Sequence, residues 1–323
     1  MLMLIVTRER AKLIEISAGS PARAVSFSSD GKYLVSGGDE MVRLWRVEDG
    51  EQVGSMNAGA VSSIAVSKDG RRIASGSWTG VVTVWDAKTY KQVFVIHNKD
   101  HYTITGVDFS PDSTRLVTAS RNGSVTIWDF VTRERVVGPL YHENCVVAAK
   151  YSPQGDRIAT ATYVCESVRI YNSHDGRLLM DIKAGVDGYC NTALGWSNDG
   201  QHLFAASFDG RIKQLDVSTG SVLSQWSVPR SNAADACMTL PKNGEFIVYA
   251  ANDTITFWDA WTRSRLGAVI ACGQEVCSVT LSPDDQLLAF AMEDGKISIK
   301  SLQHVLPVSI LSKKKLLLRH GIR

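Results

Sequence analysis

The sequence has no long hydrophobic run and almost no net charge. No apolar stretch approaches the roughly 18 residues that a membrane-spanning helix requires. The N-terminal MLMLIV is followed directly by TRERAK and lacks the leading charge and length of a secretory signal, so we expect none. A formal charge of +2, with both signs spread along the chain, argues against a dedicated nucleic-acid or membrane surface over the body of the protein.

Cysteine and histidine motifs are missing as well. None of the 6 cysteines forms a CxxC pair or lies at zinc-ligand spacing with a histidine. Reduced thiols in an intracellular protein are the simplest interpretation, and we expect a cytoplasmic location, with the nucleus as the alternative. His97 and His101 are near each other, but no third histidine or cysteine lies close by in the sequence. We expect no metal and no cofactor.

Catalytic signatures are also missing. The chain has no G-x-S-x-G elbow, H-E-x-x-H pair, P-loop or kinase signature. Aspartate and glycine are common, but they recur at turn positions, where their backbone preferences explain them. No motif in the sequence therefore points to a catalytic site.

What the chain does contain is a repeat. A short apolar run such as VTVWD, VTIWD or ITFWD recurs seven times, with 40 to 44 residues between successive copies. Upstream of each run lies a strand–turn–strand marker such as FSSDGKYL or FSPDSTRL, and just before it a hairpin turn such as Asn122-Gly123. The residues that mark the end of the apolar runs are Trp45, Trp85, Asp86, Trp128, Asp129, Tyr171, Asp216, Trp258 and Asp259.

These markers resemble those of the WD-repeat family, whose repeats of about 40–45 residues form the blades of β-propellers. The resemblance implies an all-β protein with seven four-stranded antiparallel blades. It also implies one propeller domain over residues 1–311, followed by a basic tail over residues 312–323. Similar arrays form the sensor ends of NACHT-type signalling proteins in fungi. The resemblance further implies that Trp85 packs between blades.

The repeats depart from the family pattern at one place. The Gly-His pair that opens each family repeat is nearly absent, and His142 stands in its place in the fourth unit. That unit, with His142 and Thr160, is the most intact candidate for the family's hydrogen-bond network, although Tyr171 replaces its tryptophan. We expect the other blades to depend more on apolar packing.

Two segments compete to close the ring. In the family the N-terminus usually supplies the outermost strand of the last blade, and residues 11–17 (AKLIEIS) fit that place. An open ring would leave an unpaired strand edge. Residues 305–311 (VLPVSIL) could take the same position, but Pro307 cannot donate to a strand ladder. The N-terminal strand is therefore favoured.

Large side chains stand where the family places the rim around the channel. Aromatic residues and arginine dominate binding hot spots, and solvent alone gives no reason to place them at hairpin tips. The alternative is that these rings fold down onto neighbouring blades. The predicted partner-binding residues are Trp78, Arg121, Tyr163 and Phe208, with Tyr189 in a longer loop expected on the same face.

The resemblance implies a monomeric, non-enzymatic scaffold or recognition domain that binds another protein or a peptide at the channel mouth, with no nucleic acid as partner. One alternative is a propeller enzyme with its site at the channel mouth. Another is contact with nucleic acid or lipid through the basic tail, which carries Lys313, Lys314, Lys315, Arg319 and Arg323.

Overall fold

The strands of the chain form seven separate four-stranded antiparallel sheets. A computed structural model describes residues 13–97, 101–163, 167–183, 192–207, 210–230, 237–307 and 310. The sheets follow one another in sequence, and their innermost strands contact each other in a ring. The predicted seven-bladed β-propeller is confirmed.

The first four blades take their strands in chain order. Blade 1 holds β2 (Ala24–Phe27), β3 (Tyr33–Gly37), β4 (Met41–Arg46) and β5 (Gln52–Asn57). Blade 2 holds β6 (Val61–Val66), β7 (Arg72–Ser77), β8 (Val81–Asp86) and β9 (Gln92–His97). Blade 3 holds β10 (Ile104–Phe109), β11 (Arg115–Ser120), β12 (Ser124–Asp129) and β13 (Arg135–Tyr141). Blade 4 holds β14 (Val146–Tyr151), β15 (Arg157–Thr162), β16 (Ser167–Asn172) and β17 (Leu178–Lys183).

The last three blades follow the same order, except that the seventh borrows a strand. Blade 5 holds β18 (Thr192–Trp196), β19 (His202–Ser207), β20 (Arg211–Asp216) and β21 (Val222–Ser227). Blade 6 holds β22 (Cys237–Thr239), β23 (Phe246–Ala251), β24 (Thr254–Asp259) and β25 (Arg265–Ala271). Blade 7 holds β26 (Val276–Leu281), β27 (Leu287–Met292), β28 (Lys296–Ser301) and, at its outer edge, β1 (Leu13–Ser17). A short 3₁₀ helix, Leu302–His304, follows.

The turns between the first and second strands and between the third and fourth strands lie at one face of the ring, which we call the lower face. Side-chain hydrogen bonds close these turns. In the turn from the first to the second strand of blade 1, the Ser28 hydroxyl donates to Asp30 at 2.6 Å and accepts from the Tyr33 amide. In the turn after the third strand of blade 2, the Asp86 carboxylate accepts from the backbone amides of Lys88 and Thr89. The Thr89 bonds are the main cause of an Asp86 pKa below its ordinary value. The repeated Ser and Asp residues therefore stabilise the turns by hydrogen bonds to the backbone.

Apolar clusters fill the spaces between adjacent blades. Trp85 is 5% exposed and packs with Val35 of blade 1 and Ile73 of blade 2. Its indole nitrogen donates to the Ser75 hydroxyl at 3.3 Å, and Trp45 makes the equivalent bond to Ser36 at 2.8 Å. Part of the family's hydrogen-bond network thus persists without its histidine.

Blade 4, expected to be the most intact, builds a different contact. The Thr160 hydroxyl donates within its own sheet, to the Arg169 carbonyl at 3.3 Å. The His142 and Tyr171 rings meet edge to face, with centroids 5.8 Å apart. The Arg169 guanidinium lies 3.4 Å from His142 Nδ1 and bonds the Asp181 carboxylate at 3.1 Å.

Neighbouring innermost strands are tied together by side chains. The Thr105 hydroxyl of blade 3 donates to the Val146 carbonyl of blade 4 at 2.6 Å. In return, the Tyr151 amide of blade 4 donates to the Asp108 carboxylate at 2.9 Å. These bonds satisfy backbone groups that face the next blade, so they hold the blades at fixed positions around the channel.

The N-terminal strand closes the ring. β1 pairs antiparallel with β28, and Ile16 lies opposite Ile297 in the cluster between blades 7 and 1. The competing assignment of residues 305–311 to this position is wrong for the part that the structure describes. Leu306 and Ile310 are buried in the cluster between blades 6 and 7 instead.

The borrowed strand gives a first prediction. Ile16 is 4% exposed, whereas Leu13 on the same strand is 50% exposed. We expect Ile16→Ala to lower the free energy of unfolding by about 2–4 kcal/mol, because it leaves a cavity at the closure. Leu13→Ala is the matched control and should cost less than about 0.5 kcal/mol. Urea denaturation measures both free energies of unfolding. A loss as small for Ile16→Ala as for Leu13→Ala would show that β1 contributes little to closure.

The buried histidine of blade 4 gives a second prediction. Burial lowers the pKa of His142 from 6.5 to about 4; the Arg169 cation lowers it further and Asp181 opposes the shift. The unfolded chain therefore binds a proton at this histidine at a higher pH than the folded protein. The contribution of His142 to the free energy of unfolding is fully present above about pH 6.5. It declines as the pH falls towards 4, by about 1.4 kcal/mol per pH unit.

Thermal unfolding at several pH values measures this decline. His142→Gln removes the titrating group while keeping a polar side chain of similar length. The variant should lose less stability between pH 6.5 and 4.5 than the wild type. Parallel curves for the two proteins would show that His142 is not the source of the acid sensitivity.

Candidate protein-interaction surface

One face of the ring carries both the loops that enter each blade and the turns between its second and third strands. We call this the upper face. The first residue of each of three turns is fixed by a backbone bond to the residue immediately before the innermost strand. The Trp78 amide donates to the Ala60 carbonyl, Arg121 to Thr103, and Tyr163 to Cys145, at 2.8 to 2.9 Å. These turns therefore occupy equivalent, rigid positions beside the channel.

Trp78 is held open rather than folded down. Its side chain is 44% exposed. The Arg23 guanidinium lies 5.8 Å from the ring centroid of Trp78, and the other side of Arg23 faces Glu293 at 3.8 Å. A contact of this kind orients the indole and covers only part of it. Trp78 thus presents a large apolar surface on blade 2.

Tyr102 extends that surface towards blade 3. It is 52% exposed and lies in the loop that enters the blade. Gly80 makes this loop possible: its φ is +81°, and an added Cβ would lie 2.9 Å from the Tyr102 carbonyl oxygen. The Thr103 hydroxyl also donates to the Trp78 carbonyl at 3.2 Å. Turn and loop are therefore packed as one unit.

Arg121 completes the surface at the turn of blade 3. Its side chain is exposed, and its backbone amide donates a hydrogen bond to the Thr103 carbonyl. Within the described part of the chain, Arg121 makes no ion pair. We call Trp78, Tyr102 and Arg121 the upper ledge.

The other predicted rim residues have different outcomes. Tyr163 is half-buried at the corresponding turn of blade 4 and contributes less surface than Trp78. Phe208 and Tyr189 lie outside the described residues. The upper ledge is therefore the part of the predicted surface for which contacts can be given.

Two exposed aromatic residues of the upper face, in the described part of the chain, were not predicted from the sequence. Tyr102 lies between the Trp78 and Arg121 turns, and Tyr141, 70% exposed, ends the outermost strand of blade 3 opposite Ser124. Both stand where one blade passes into the next. In an antiparallel blade these connections lie on the same face as the second hairpin turn, so scanning them for aromatic residues would have found both.

Charge is distributed unevenly over the upper face. Residues 78–80, 101–103 and 121–123 include two basic-type side chains, His101 and Arg121, and no carboxylate. Exposed carboxylates instead occupy the corresponding turns of blades 6, 7 and 1: Asp39, Glu40, Asp253, Glu293 and Asp294. The described turns of blades 2 and 3 are thus aromatic and basic and those of blades 6, 7 and 1 are acidic, while exposed Glu143 lies in the loop that enters blade 4.

Metal-binding and membrane-spanning features are not found in the described ranges. There, no group of three His, Cys, Asp or Glu side chains is placed to hold a metal ion. Burial raises the pKa of the Cys272 thiol to about 11, which keeps it protonated near neutral pH. No helix in the described part has the length and apolar content needed to cross a membrane.

Family comparisons agree with this geometry. The family described as WD domain, G-beta repeat matches residues 13–46, 50–86 and 89–129, which contain strands β1 to β12. The WD40 domain of anaphase-promoting complex subunit 4 matches residues 149–243. The chain is a WD-repeat β-propeller. Its further likeness to NACHT-type sensor arrays stays a prediction.

Individual relatives of this WD-repeat protein are distant. Autophagy-related protein 16 of Arabidopsis thaliana is 23% identical over 94% of this chain and 52% of its own length. Small ribosomal subunit protein RACK1y of Oryza sativa subsp. japonica is 28% identical over 57% of this chain and 44% of its own. WD repeat-containing protein 1 of Mus musculus is 27% identical over 65% and 36%. The chain thus spans about half or less of the length of these relatives.

The contrast between two tryptophans of the same blade gives a third prediction. Trp78→Ala should lower the free energy of unfolding by about 1 kcal/mol, because the ring is half-exposed and its Arg23 contact is weak. Trp85→Ala should cost about 3–5 kcal/mol, because that ring fills the space between blades 1 and 2. Urea denaturation compares them. A Trp78 variant as unstable as the Trp85 variant would mean that Trp78 is a packing residue.

Proposed function

We propose that this WD-repeat propeller is a non-enzymatic scaffold that binds a partner protein or peptide on its upper face, beside the channel mouth. The observation that carries the proposal is the upper ledge, where large aromatic side chains stand exposed on a backbone locked by hydrogen bonds. The proposed contact residues are Trp78, Tyr102, Arg121, Tyr163, Phe208 and Tyr189.

Several properties of the surface support this function. Tryptophan, tyrosine and arginine contribute most of the binding energy at protein interfaces. A surface whose backbone is already ordered loses less entropy when a partner binds. Propellers of this repeat type typically act as protein-interaction scaffolds. A cytoplasmic location and a monomeric state belong to the same proposal.

The lower face offers a control of matched chemistry. Trp261 lies in the turn after the third strand of blade 6 and is 52% exposed, close to the value for Trp78. Its ring contacts His202 of blade 5 edge to face at 5.6 Å, much as Trp78 contacts Arg23. Loss of an exposed tryptophan can therefore be compared between the two faces.

Affinity purification from the native cell tests the proposal. Proteins that co-purify with the wild type should be depleted at least about tenfold with Trp78→Ala/Phe208→Ala, a loss expected when hot-spot residues are truncated. They should be retained with Trp261→Ala. Retention of every partner by the upper-face variant, or equal loss with both variants, would contradict binding at the upper face.

A further inference from the structure

Building on the proposed function, we infer that the upper ledge binds an extended peptide segment that carries carboxylates next to apolar side chains. The partner contributes negative charge to Arg121 and apolar groups to Trp78 and Tyr102. The inference concerns the chemical class of the partner at this one part of the upper face.

The first step is charge complementarity. The described turns and loop of the ledge contain no carboxylate, whereas the turns of blades 6, 7 and 1 carry five exposed ones. A negatively charged segment is attracted to the ledge and repelled by the turns of blades 6, 7 and 1, of which blade 1 adjoins blade 2. Such uneven potential fixes where and in which direction a partner docks.

The second step is the availability of the arginines. Arg121 is exposed and makes no ion pair with any described residue. Arg23, at the other end of the ledge, is oriented by the Trp78 ring and lies 3.8 Å from Glu293, which is a weak contact. Both guanidinium groups can therefore pair with an incoming carboxylate, and a planar guanidinium can do so with two bonds.

The third step is the shape of the ledge. Trp78 and Tyr102 lie side by side because the Thr103 hydroxyl and Gly80 bring turn and loop together. Arg121 adjoins the same loop, since its amide donates to the Thr103 carbonyl at 2.9 Å and the Ser120 hydroxyl donates to the Tyr102 carbonyl at 3.4 Å. The contacts thus run from Arg23 through Trp78 and the Tyr102 loop to Arg121, and such a row of groups matches an extended chain better than a compact surface.

A peptide fits this surface better than a nucleic acid does. Phosphate backbones require several basic contacts along their length. The upper ledge offers Arg121, with Arg23 beside Trp78, and the path beyond Arg23 leads to Glu293 and Asp294. Repulsion there opposes a long polyanion but leaves room for a short acidic segment.

A random-peptide library panned against the full chain tests the inference. Enriched peptides should contain aspartate or glutamate beside apolar residues. Their affinity should fall about tenfold or more with Arg121→Glu, and less than about fivefold with Arg121→Lys, which keeps the charge. Raising the salt concentration from about 50 mM to about 500 mM should weaken binding, because the ion pairs are solvent-exposed.

Arg133→Glu is the matched control. Arg133 is an exposed residue in the lower turn of the same blade, so the variant makes an equal change in net charge away from the ledge. It should leave the affinity for the enriched peptides within about twofold of the wild type. Equal weakening by Arg121→Glu and Arg133→Glu would overturn the inference, because the effect would then come from net charge alone.

A uridine homopolymer serves as the second probe. Enrichment of basic or uncharged peptides, or no enrichment at all, would overturn the inference. It would also be overturned if the homopolymer bound, Arg121→Glu abolished that binding, and no acidic peptide were enriched. Enriched basic peptides whose binding is lost with Trp78→Ala would leave the proposed function standing while this inference fails. If no upper-face variant altered any binding, both would fail.

Discussion

The structure depends on burial of each blade by its two neighbours. A four-stranded sheet of this size exposes two apolar faces and cannot bury either one alone. The clusters in the described residues lie between adjacent blades, each built from side chains of both sheets. Because every blade needs a partner on each side, the array is stable only as a closed ring, and β1 on β28 is the contact that closes it.

Closure of the ring also determines where functional side chains can be placed. The innermost strands are joined by bonds such as Thr105 to the Val146 carbonyl, so the turns above them keep fixed separations. Stability comes from residues between the blades, so side chains in the turns at the two faces are not needed to fill the core. A turn residue such as Trp78 can therefore remain half-exposed while Trp85, a few residues later, is buried.

The upper face combines this freedom with uneven charge. Aromatic and basic side chains gather over blades 2 and 3, and exposed carboxylates gather over blades 6, 7 and 1. Arg23 lies at the boundary, between the Trp78 ring and the Glu293 carboxylate. A face of this kind can select the orientation of a partner as well as its identity, since a reversed partner would bring like charges together.

The sequence by itself determined the number of blades and the order of the strands within them, and it favoured the N-terminal strand as the one that closes the ring. Regular spacing of the Trp-Asp runs reflects local chemistry: hairpin turns and alternating strands form from neighbouring residues. What the tertiary structure decided are contacts between residues far apart in the chain. The contact between the Trp78 turn and the Tyr102 loop, the contact of His142 with Arg169, and the burial of Leu306 against blade 6 arise only when neighbouring blades pack together. No local pattern encodes them, because each depends on how one blade faces the next.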